Sequence, residues 1–407
     1  KTTFAEADGD IVMTARLANV KPFDTAITLT LAGTATVDED YTTDDDGFLE
    51  GIASGFDNPE GVVQATSGDY YVGEERRIYK VAANGTKTLI AGNGNYGNHS
   101  GDAQPVSQAR FRNIGKMVID KASARSASGS ADVIYLYDER VIRKIDLGNS
   151  LIYYITGSGD WTENFVNGTL AEAKFRSIRD ITLSNDGNTL YVIDENAIRA
   201  IDMSNDAVST LTGNRDWGYQ DGTLSSSKFE GPQGLAMDSS GDLIVRQYGK
   251  LRKIDIDGNS VTTLLENDWS SGDLFIDSSD NVYFGSEDRH YIYKYSSSGE
   301  FTKIISSEND SGTVDGVLKD AKIERPMDII LNSAGDLVFV ERNSTGSLRK
   351  IDFVNKLRIP AGQQTGTFTL NIEDDSKFEV DETILLKVAA ADKVAFNSST
   401  VVKTLTI

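Results

Sequence analysis

The chain has 407 residues, of which 25% are charged and 39% hydrophobic, and its 40 basic and 62 acidic side chains give a formal net charge of −22. That length accommodates two or three domains with sizeable cores. A field of that sign repels phosphate backbones and attracts cations, so no nucleic-acid partner is expected. No run of about 18 apolar residues is present, so we expect no transmembrane segment. The chain contains no cysteine, which excludes disulfide bonds and thiolate metal sites.

The beginning of the chain has the composition of short β-strands. Residues 11–17 (Ile-Val-Met-Thr-Ala-Arg-Leu) and 26–32 (Ala-Ile-Thr-Leu-Thr-Leu-Ala) partly alternate between apolar and polar side chains. Similar sequence returns towards the end of the chain and predicts further strands at 365–372, 383–390 and 399–407. No helix pattern occurs in either segment. We therefore predict an all-β outer domain of residues 1–47 and 357–407, interrupted by a second domain at 48–356.

Three motifs of the outer segments come in the order typical of one family. They are Gly33 to Tyr41 (Gly-Thr-Ala-Thr-Val-Asp-Glu-Asp-Tyr), Pro360 to Gly362 (Pro-Ala-Gly) and Asp374 to Glu382 (Asp-Asp-Ser-Lys-Phe-Glu-Val-Asp-Glu). Joined across the insertion, the segments resemble a Calx-β domain, which is an immunoglobulin-like β-sandwich of about 100 residues. The resemblance covers about a quarter of the chain.

This resemblance implies calcium as a cofactor. In calcium-binding Calx-β domains an early Glu, the Asp before the Tyr and the acids of the third motif hold the ion, and carboxylates that converge at one end of a sandwich suit calcium. The family has an acid-rich loop where this chain has Ala391-Asp392-Lys393, so a full multi-calcium cluster is not expected. The alternative is that these carboxylates only cap turns. The residues that the resemblance assigns to the ion are Glu6, Asp40, Asp374, Asp375 and Glu379.

The inserted segment repeats one unit of four short strands separated by Gly, Asp and Asn turns, which is typical of a β-propeller blade. The third strand of the unit recurs six times, and an outer strand follows the first five copies. Residues 48–55 match the missing outer strand, so we predict that they complete the sixth blade and close the ring. The six third strands begin at Ile78, Ile142, Ile198, Leu251, Ile292 and Leu348.

The connections between blades carry a second resemblance. Gly213 to Thr223 (Gly-Asn-Arg-Asp-Trp-Gly-Tyr-Gln-Asp-Gly-Thr), followed by Ser227 to Pro232, is similar to the linker between NHL repeats, and related sequence stands at 91–111, 156–175 and 310–326. The predicted fold is therefore a six-bladed NHL-type β-propeller inserted into an immunoglobulin-like Calx-β sandwich. NHL propellers serve mostly as binding platforms and only in a minority as enzymes, so the resemblance says little about the function of this chain.

Residues that could support catalysis are few. The two histidines, His99 and His290, cannot form a three-histidine metal site, and we expect both to be incidental polar residues. Acidic residues recur where second strands end, and we expect them to cap turns and to form ion pairs between blades. The alternative is a lactonase-like calcium centre at the channel mouth. These acids are Glu74, Asp138, Asp194 and Glu341, with Arg246 and Ser286 interrupting the series.

Aromatic residues recur after the outer strands. The three tryptophans each follow an Asp at the equivalent place, and a tyrosine holds a similar place after the first blade. Because connections between successive blades lie on one face of a propeller, we expect these aromatics to share that face, where exposed rings could bind sugars or peptide side chains. The alternative is that each ring covers its own loop. The candidate ligand-binding residues are Tyr96, Trp161, Trp217 and Trp269.

We therefore expect a non-enzymatic binding module, extracellular or on a bacterial surface, whose propeller recognises a glycan or a peptide or protein ligand and whose outer domain is a calcium-stiffened spacer. An outer-membrane uptake complex or neighbouring adhesin domains are the partners this architecture suggests, and any lipid anchor is expected outside the given sequence. Two alternatives stay open. The first is a metal-dependent hydrolase or lyase with a carboxylate-held metal in the propeller channel, and the second is a structural link in a longer adhesin.

Overall fold

The computed structural model forms two compact units, Leu49–Ile351 and the paired segments Lys1–Phe48 and Asp352–Ile407. In the part of the chain that it describes, no helix has the length and apolar character needed to cross a membrane. For residues 1–46, 306 and 354–407 only the backbone of the strands is described. The residues described in full are 47–95, 103–121, 123, 125–129, 131–158, 165–266, 272–286, 290–305 and 311–353.

The chain begins with strands of the smaller unit and then enters the propeller. The first strands are β1 (Thr2–Thr3), β2 (Ile11–Arg16), β3 (Thr25–Gly33), β4 (Tyr41–Thr43) and β5 (Phe48–Ser54). Blade 1 follows with β6 (Pro59–Gln64), β7 (Tyr70–Glu74), β8 (Arg77–Val81) and β9 (Lys87–Ala91). In blade 1, as in the others, neighbouring strands are antiparallel and short turns join them.

Blades 2 and 3 each carry an additional two-residue strand that pairs with the outer strand. Blade 2 consists of β10 (Gln104–Pro105), β11 (Ile114–Asp120), β12 (Val133–Asp138), β13 (Val141–Asp146) and β14 (Leu151–Gly157), with a 3-10 helix at Val106–Gln108. Blade 3 consists of β15 (Gly168–Thr169), β16 (Ile178–Leu183), β17 (Thr189–Asp194), β18 (Ala197–Asp202) and β19 (Ala207–Gly213).

Blades 4 and 5 are four-stranded sheets. Blade 4 consists of β20 (Gly234–Met237), β21 (Leu243–Gln247), β22 (Lys250–Asp255) and β23 (Ser260–Glu266). Blade 5 consists of β24 (Leu274–Ile276), β25 (Val282–Ser286), β26 (Tyr291–Tyr295) and β27 (Phe301–Ser306).

The sixth sheet joins strands from both ends of the propeller sequence. It contains β28 (Gly316–Val317), β29 (Pro326–Leu331), β30 (Leu337–Glu341) and β31 (Ser347–Asp352), and β5 lies between β28 and β31. The strand that precedes blade 1 along the chain is therefore the outer strand of blade 6. The predicted all-β class and six-bladed β-propeller are confirmed.

Apolar side chains fill the spaces between blades. Each of the six blade interfaces has its own buried core; Phe111 and Leu136 lie between blades 1 and 2, for example, and Leu49 and Phe339 between blades 5 and 6. Successive side chains of a strand point to opposite faces of its sheet, so a blade packed between two others buries both faces. The second strands, in the middle of the blades, are therefore buried almost throughout. This packing fixes the inner strands around a central channel.

The smaller unit is made by strands from the two ends of the chain. Its later strands are β32 (Lys356–Ile359), β33 (Thr365–Ile372), β34 (Thr383–Val388) and β35 (Val402–Thr406). One sheet has the order β1-β35-β34-β3-β32 and the other β2-β33-β4. The immunoglobulin-like Calx-β identity of this unit remains a prediction. The predicted calcium ligands, Glu6, Asp40, Asp374, Asp375 and Glu379, lie outside the described residues.

Candidate functional site

One position of each inner strand lies in the middle of the channel. In each inner strand this position is the one immediately before a fully or almost fully buried apolar residue, such as Val62 in blade 1 or Ile329 in blade 6. Two blades carry glycine there, one carries lysine and three carry aspartate. From blade 1 to blade 6 the residues are Gly61, Lys116, Asp180, Gly234, Asp273 and Asp328.

The lysine crosses the channel. The Nζ of Lys116 donates to Oδ1 of Asp273 at 2.5 Å and to the carbonyl oxygen of Leu274 at 3.1 Å, and it lies 3.6 Å from Oδ1 of Asp180. Blades 2 and 5 face each other in a six-membered ring, so this side chain ties opposite sides of the propeller together. Although burial opposes the charge, the neighbouring carboxylates raise the pKa of Lys116, and the side chain stays an ammonium.

Backbone donors hold all three aspartates, and Lys116 contacts Asp180 and Asp273 in addition. Asp180 accepts the N–H of Ile181 at 2.7 Å and that of Leu235, and Asp328 accepts the N–H of Val62 at 2.8 Å. Burial, together with the nearby carboxyl of Asp273, raises the pKa of both Asp180 and Asp328 well above the ordinary value. Oδ1 of Asp328 is buried and has no hydrogen-bond partner.

The Lys116 ammonium lies between carboxylates of blades 3 and 5 in the channel. Within the described ranges no group of three or more His, Asp or Glu side chains is arranged to hold a metal ion. Packing around the lysine is tight: a Cβ on its neighbour Gly115 would lie 1.9 Å from the ring of Tyr137, whose hydroxyl donates to the carbonyl oxygen of Arg179 in the next blade at 3.0 Å. The channel centre is thus closed by the protein's own side chains.

A second polar feature repeats around the ring outside the channel. The third strands of blades 2, 3, 4 and 6 each place a fully or almost fully buried arginine at the same position. Arginine side chains are mostly exposed in proteins, so this burial needs an explanation. Where its register is described, the outer strand has a β-bulge opposite this position, which turns the side chain towards the linker. The residues are Arg143, Arg199, Arg252 and Arg349.

Arg199 shows what these arginines do. Its guanidinium donates to the carbonyl oxygens of Lys174 and Val166, both at 2.6 Å, and to Oδ2 of Asp194 at 3.0 Å. It also lies 4.4 Å from the ring centroid of Phe175, a linker residue. Arg252 and Arg349 make the equivalent contacts in blades 4 and 6. The linker between blades is therefore folded around a buried cation.

This arrangement explains the acids at the ends of the second strands. Asp138 and Asp194 each accept two consecutive backbone N–H groups of the loop before the inner strand, and Glu341 accepts one, so they cap turns while facing a buried arginine. Glu74 caps Asp57 in the same way and pairs with Arg77 at 3.0 Å. The expectation of ion pairs between blades is corrected, because each of these acids pairs with a cation of its own blade.

One assignment within the acidic series is corrected. In blade 4 the equivalent position is Gln247 rather than Arg246, because Gln247 pairs with Lys250 across the turn as Glu74 pairs with Arg77. Its Oε1 accepts from Arg252 at 3.3 Å. Arg246 stands one residue earlier and donates to the carbonyl oxygen of Gly285 in blade 5.

The histidine that the structure describes has a backbone role. His290 stands in a turn with a φ of 58°, and its Nδ1 accepts the N–H of Arg325 at 3.0 Å. His99 lies outside the described residues. The sequence already excludes a three-histidine site, and His290 is engaged in joining the turn of blade 5 to the loop that leads into blade 6.

Of the predicted ligand-binding aromatics, Trp217 is described. Its side chain is 67% exposed, and its ring lies beside Gly231, where a Cβ would be 3.5 Å from the nearest ring carbon. Tyr248, in the turn between the second and third strands of blade 4, is 65% exposed. Both lie at the end of the propeller where inner strands begin, which we call the linker face. Tyr96, Trp161 and Trp269 lie outside the described residues.

No family model matches the sequence, so the NHL and Calx-β assignments remain predictions. Virginiamycin B lyase from Staphylococcus aureus is similar at 12% identity with a TM-score of 0.44, over 84% of this chain and 99% of that one. A protein assigned as a gluconolactonase is similar at 11% identity with a TM-score of 0.49, over 76% and 93%.

A third similar structure is the nidogen/laminin complex, in which 85% of the matched chain aligns with 67% of this one at 12% identity and a TM-score of 0.44. The six-bladed β-propeller is defined by the strand order of the chain's own sheets. At these identities the likeness concerns the fold alone.

Proposed function

We propose that this chain is a non-enzymatic binding module whose propeller captures a glycan on the linker face. The observation that carries the proposal is the exposure of Trp217. An indole ring left two-thirds in water contributes little to stability, whereas aromatic rings supply much of the energy at binding surfaces. The channel centre, where a propeller hydrolase or lyase with a carboxylate-held metal would need its ion, is filled by Lys116.

The surroundings of Trp217 favour a glycan over a peptide. Next to it Arg215 is 40% exposed and is bonded through Nε to Glu195 at 2.9 Å, and Asn214 donates to Oδ2 of Asp216 at 3.0 Å. Planar polar groups beside a flat ring suit a sugar, whose apolar face stacks on the ring while its hydroxyls exchange hydrogen bonds with amide, guanidinium and carboxylate groups. Trp161, Trp269 and Tyr96 are proposed to extend the same surface.

For the smaller unit we propose the role of a calcium-stiffened spacer on the extracellular or bacterial surface side. The motif acids Asp40, Asp374, Asp375 and Glu379, with Glu6, are the proposed ligands. Calcium that binds only the folded unit raises its melting temperature by mass action. Asp375→Asn should abolish that rise, and a melting temperature that ignores millimolar calcium would leave these acids as turn caps.

The test of glycan capture is an array of glycans and peptides probed with the full chain, with Trp217→Ala and with Leu89→Ala. Leu89 is a matched control because it is a 48% exposed apolar side chain on the outer strand of blade 1. Trp217→Ala should weaken glycan capture roughly 30-fold, the factor for a 2 kcal/mol hot spot, with an unchanged melting temperature.

Four other results would overturn the proposal. Equal losses in Trp217→Ala and Leu89→Ala would show that the ring is not part of a site. Capture of peptides alone would keep the surface and change its ligand. Cleavage of a captured compound by the wild-type chain would favour the hydrolase or lyase alternative, and no capture of either class would favour a structural link in a longer adhesin.

A further inference from the structure

The opposite end of the channel holds a cavity that the proposed function does not use. It has a volume of about 380 Å³ and is lined by inner-strand residues of all six blades. That size is within the range of small-molecule sites. The lining is mixed, with Gln64, Lys121 and Thr182 among its polar members. Its apolar residues that are only partly buried include Val118, Leu183, Ala236, Phe275, Ile276 and Ile330.

The floor of the cavity is charged. Lys116 and Asp328 both line it, and behind them lie Asp180 and Asp273. Three carboxyl groups share one ammonium, so the cluster lacks positive charge whenever its acids are ionised. The deficit is localised, because the ion pairs of Lys116 are with Asp180 and Asp273. Asp328 is 1% exposed, and no N–H group or hydroxyl donates to its Oδ1, although its carboxyl lies near that of Asp273.

A buried carboxyl oxygen without a donor is costly, and it is stabilised by any group that brings a hydrogen bond and a compensating charge. A water molecule would supply the hydrogen bond without the charge. A primary ammonium supplies both, and an apolar body behind it would cover the partly exposed side chains of the wall. The acidic chain as a whole, at −22, also concentrates cations near its surface.

We propose that this cavity binds a small amphipathic primary amine, with its ammonium on Asp328 and its apolar body against the inner-strand side chains. The site is separate from the linker face, and its existence does not depend on glycan capture.

The experiment is calorimetric titration of the full chain with n-hexylamine and with 1-hexanol, which have the same apolar body and differ in the head group. Hexylamine should bind at one saturable site, at least about tenfold more tightly than hexanol, since a tenfold ratio corresponds to about 1.4 kcal/mol. Equal binding of the two compounds, or no saturable binding of hexylamine, would overturn the proposal.

Two variants and a control locate the site. Asp328→Asn can keep the hydrogen bond from Val62 through its amide oxygen while it presents N–H groups where the free oxygen was, so hexylamine should bind no better than hexanol. Ala236→Leu fills the wall without changing a charge and should weaken both compounds. Asp320→Asn, an exposed carboxylate in a linker, should change neither affinity. Hexylamine binding that survives both cavity variants would place it elsewhere and refute the assignment.

Discussion

Four blades of the propeller anchor their linkers on a buried arginine, and two do not. At the position of Arg199, blade 1 has Tyr79 and blade 5 has Tyr293, each opposite the same β-bulge of the outer strand. In blade 5 the ring of Tyr293 stacks on Phe301 at 5.0 Å and contacts Phe284 at 5.5 Å. The second strand ends in Ser286, which carries no charge.

The buried arginine and the tyrosine occupy the same position of the third strand, opposite the bulge of the outer strand. The backbone needs a long side chain at the bulge that fills the space towards the linker, and either a hydrogen-bonded guanidinium or a stacked ring does so. A buried arginine needs a carboxylate partner, which the second strand supplies in blades 2, 3 and 6 and the linker residue Asp221 supplies in blade 4. The two tyrosine blades carry Glu74 or Ser286 at the second-strand position. Polar and apolar anchoring are thus alternatives that the same fold accepts.

The largest expected effect is in an arginine blade. Arg199→Met should lower the free energy of unfolding by about 3–5 kcal/mol, because Asp194 would stay buried without its cation and two linker carbonyls would lose their donor. Denaturant unfolding of the full chain measures it. Arg176→Met is the control: that side chain is 32% exposed, and its pair with Glu195 should contribute less than about 1 kcal/mol. A loss as small as the control's would mean that the buried cation does not hold the linker.

In a tyrosine blade, truncating the tyrosine should lower the free energy of unfolding as the truncation of any large core side chain does. Tyr293→Ala should cost about 3–4 kcal/mol because it removes a ring that is 7% exposed from the cluster with Phe284 and Phe301. Tyr248→Ala, in which the ring is 65% exposed, should stay within about 0.5 kcal/mol of the wild type in the same unfolding experiment. If both tyrosines gave the same small change, the aromatic anchor of blade 5 would have no energetic basis.

The smallest expected effect concerns pH. Burial raises the pKa of Glu341 from 4.5 to about 7, even though Arg349 lies 3.0 Å away. The folded state therefore binds the proton more tightly than the unfolded state does. The stability that this provides is fully present below about pH 4.5 and is lost as the pH rises through about 7.

Glu341→Gln copies the chemistry that blade 4 already has at Gln247, and it should remove up to about 3 kcal/mol of that pH dependence. The measurement is the unfolding free energy of both proteins at about pH 4.5 and about pH 8. Glu300→Gln, a change at an exposed position, should leave the wild-type profile in place. An unaltered slope in Glu341→Gln would show that Glu341 does not titrate in this window.

The propeller could be predicted because its repeat consists of short apolar strands separated by Gly, Asp and Asn turns, which are visible in the sequence. Third strands such as Leu251 to Asp255 recur six times, and the number of blades follows from counting them. The capping role of Asp138 and Asp194 was also predicted from their place at strand ends. The assignment of Arg246 to that series was wrong by one residue, because only the sheet register distinguishes it from Gln247.

The buried arginines and the channel lysine could not be predicted by reading each strand separately. Four third strands carry an arginine as part of the repeated sequence, yet the burial of this side chain depends on a bulge and on linker carbonyls distant in the sequence. Lys116 carried no local signal, since other blades have glycine or aspartate at its position. Aligning the six inner strands on the residue that follows, as in Asp180-Ile181 and Asp328-Ile329, would have shown one base among three acids.

The place of β5 in the sixth sheet has a mechanical consequence. The chain enters the propeller through β5 and leaves it through β31, and these are neighbouring strands of one sheet. Tension along the polypeptide would therefore load this one strand pair, while the force bypasses the five other blades. The force needed to open the ring is then set by the hydrogen bonds between these two strands, and the other sheets carry no load.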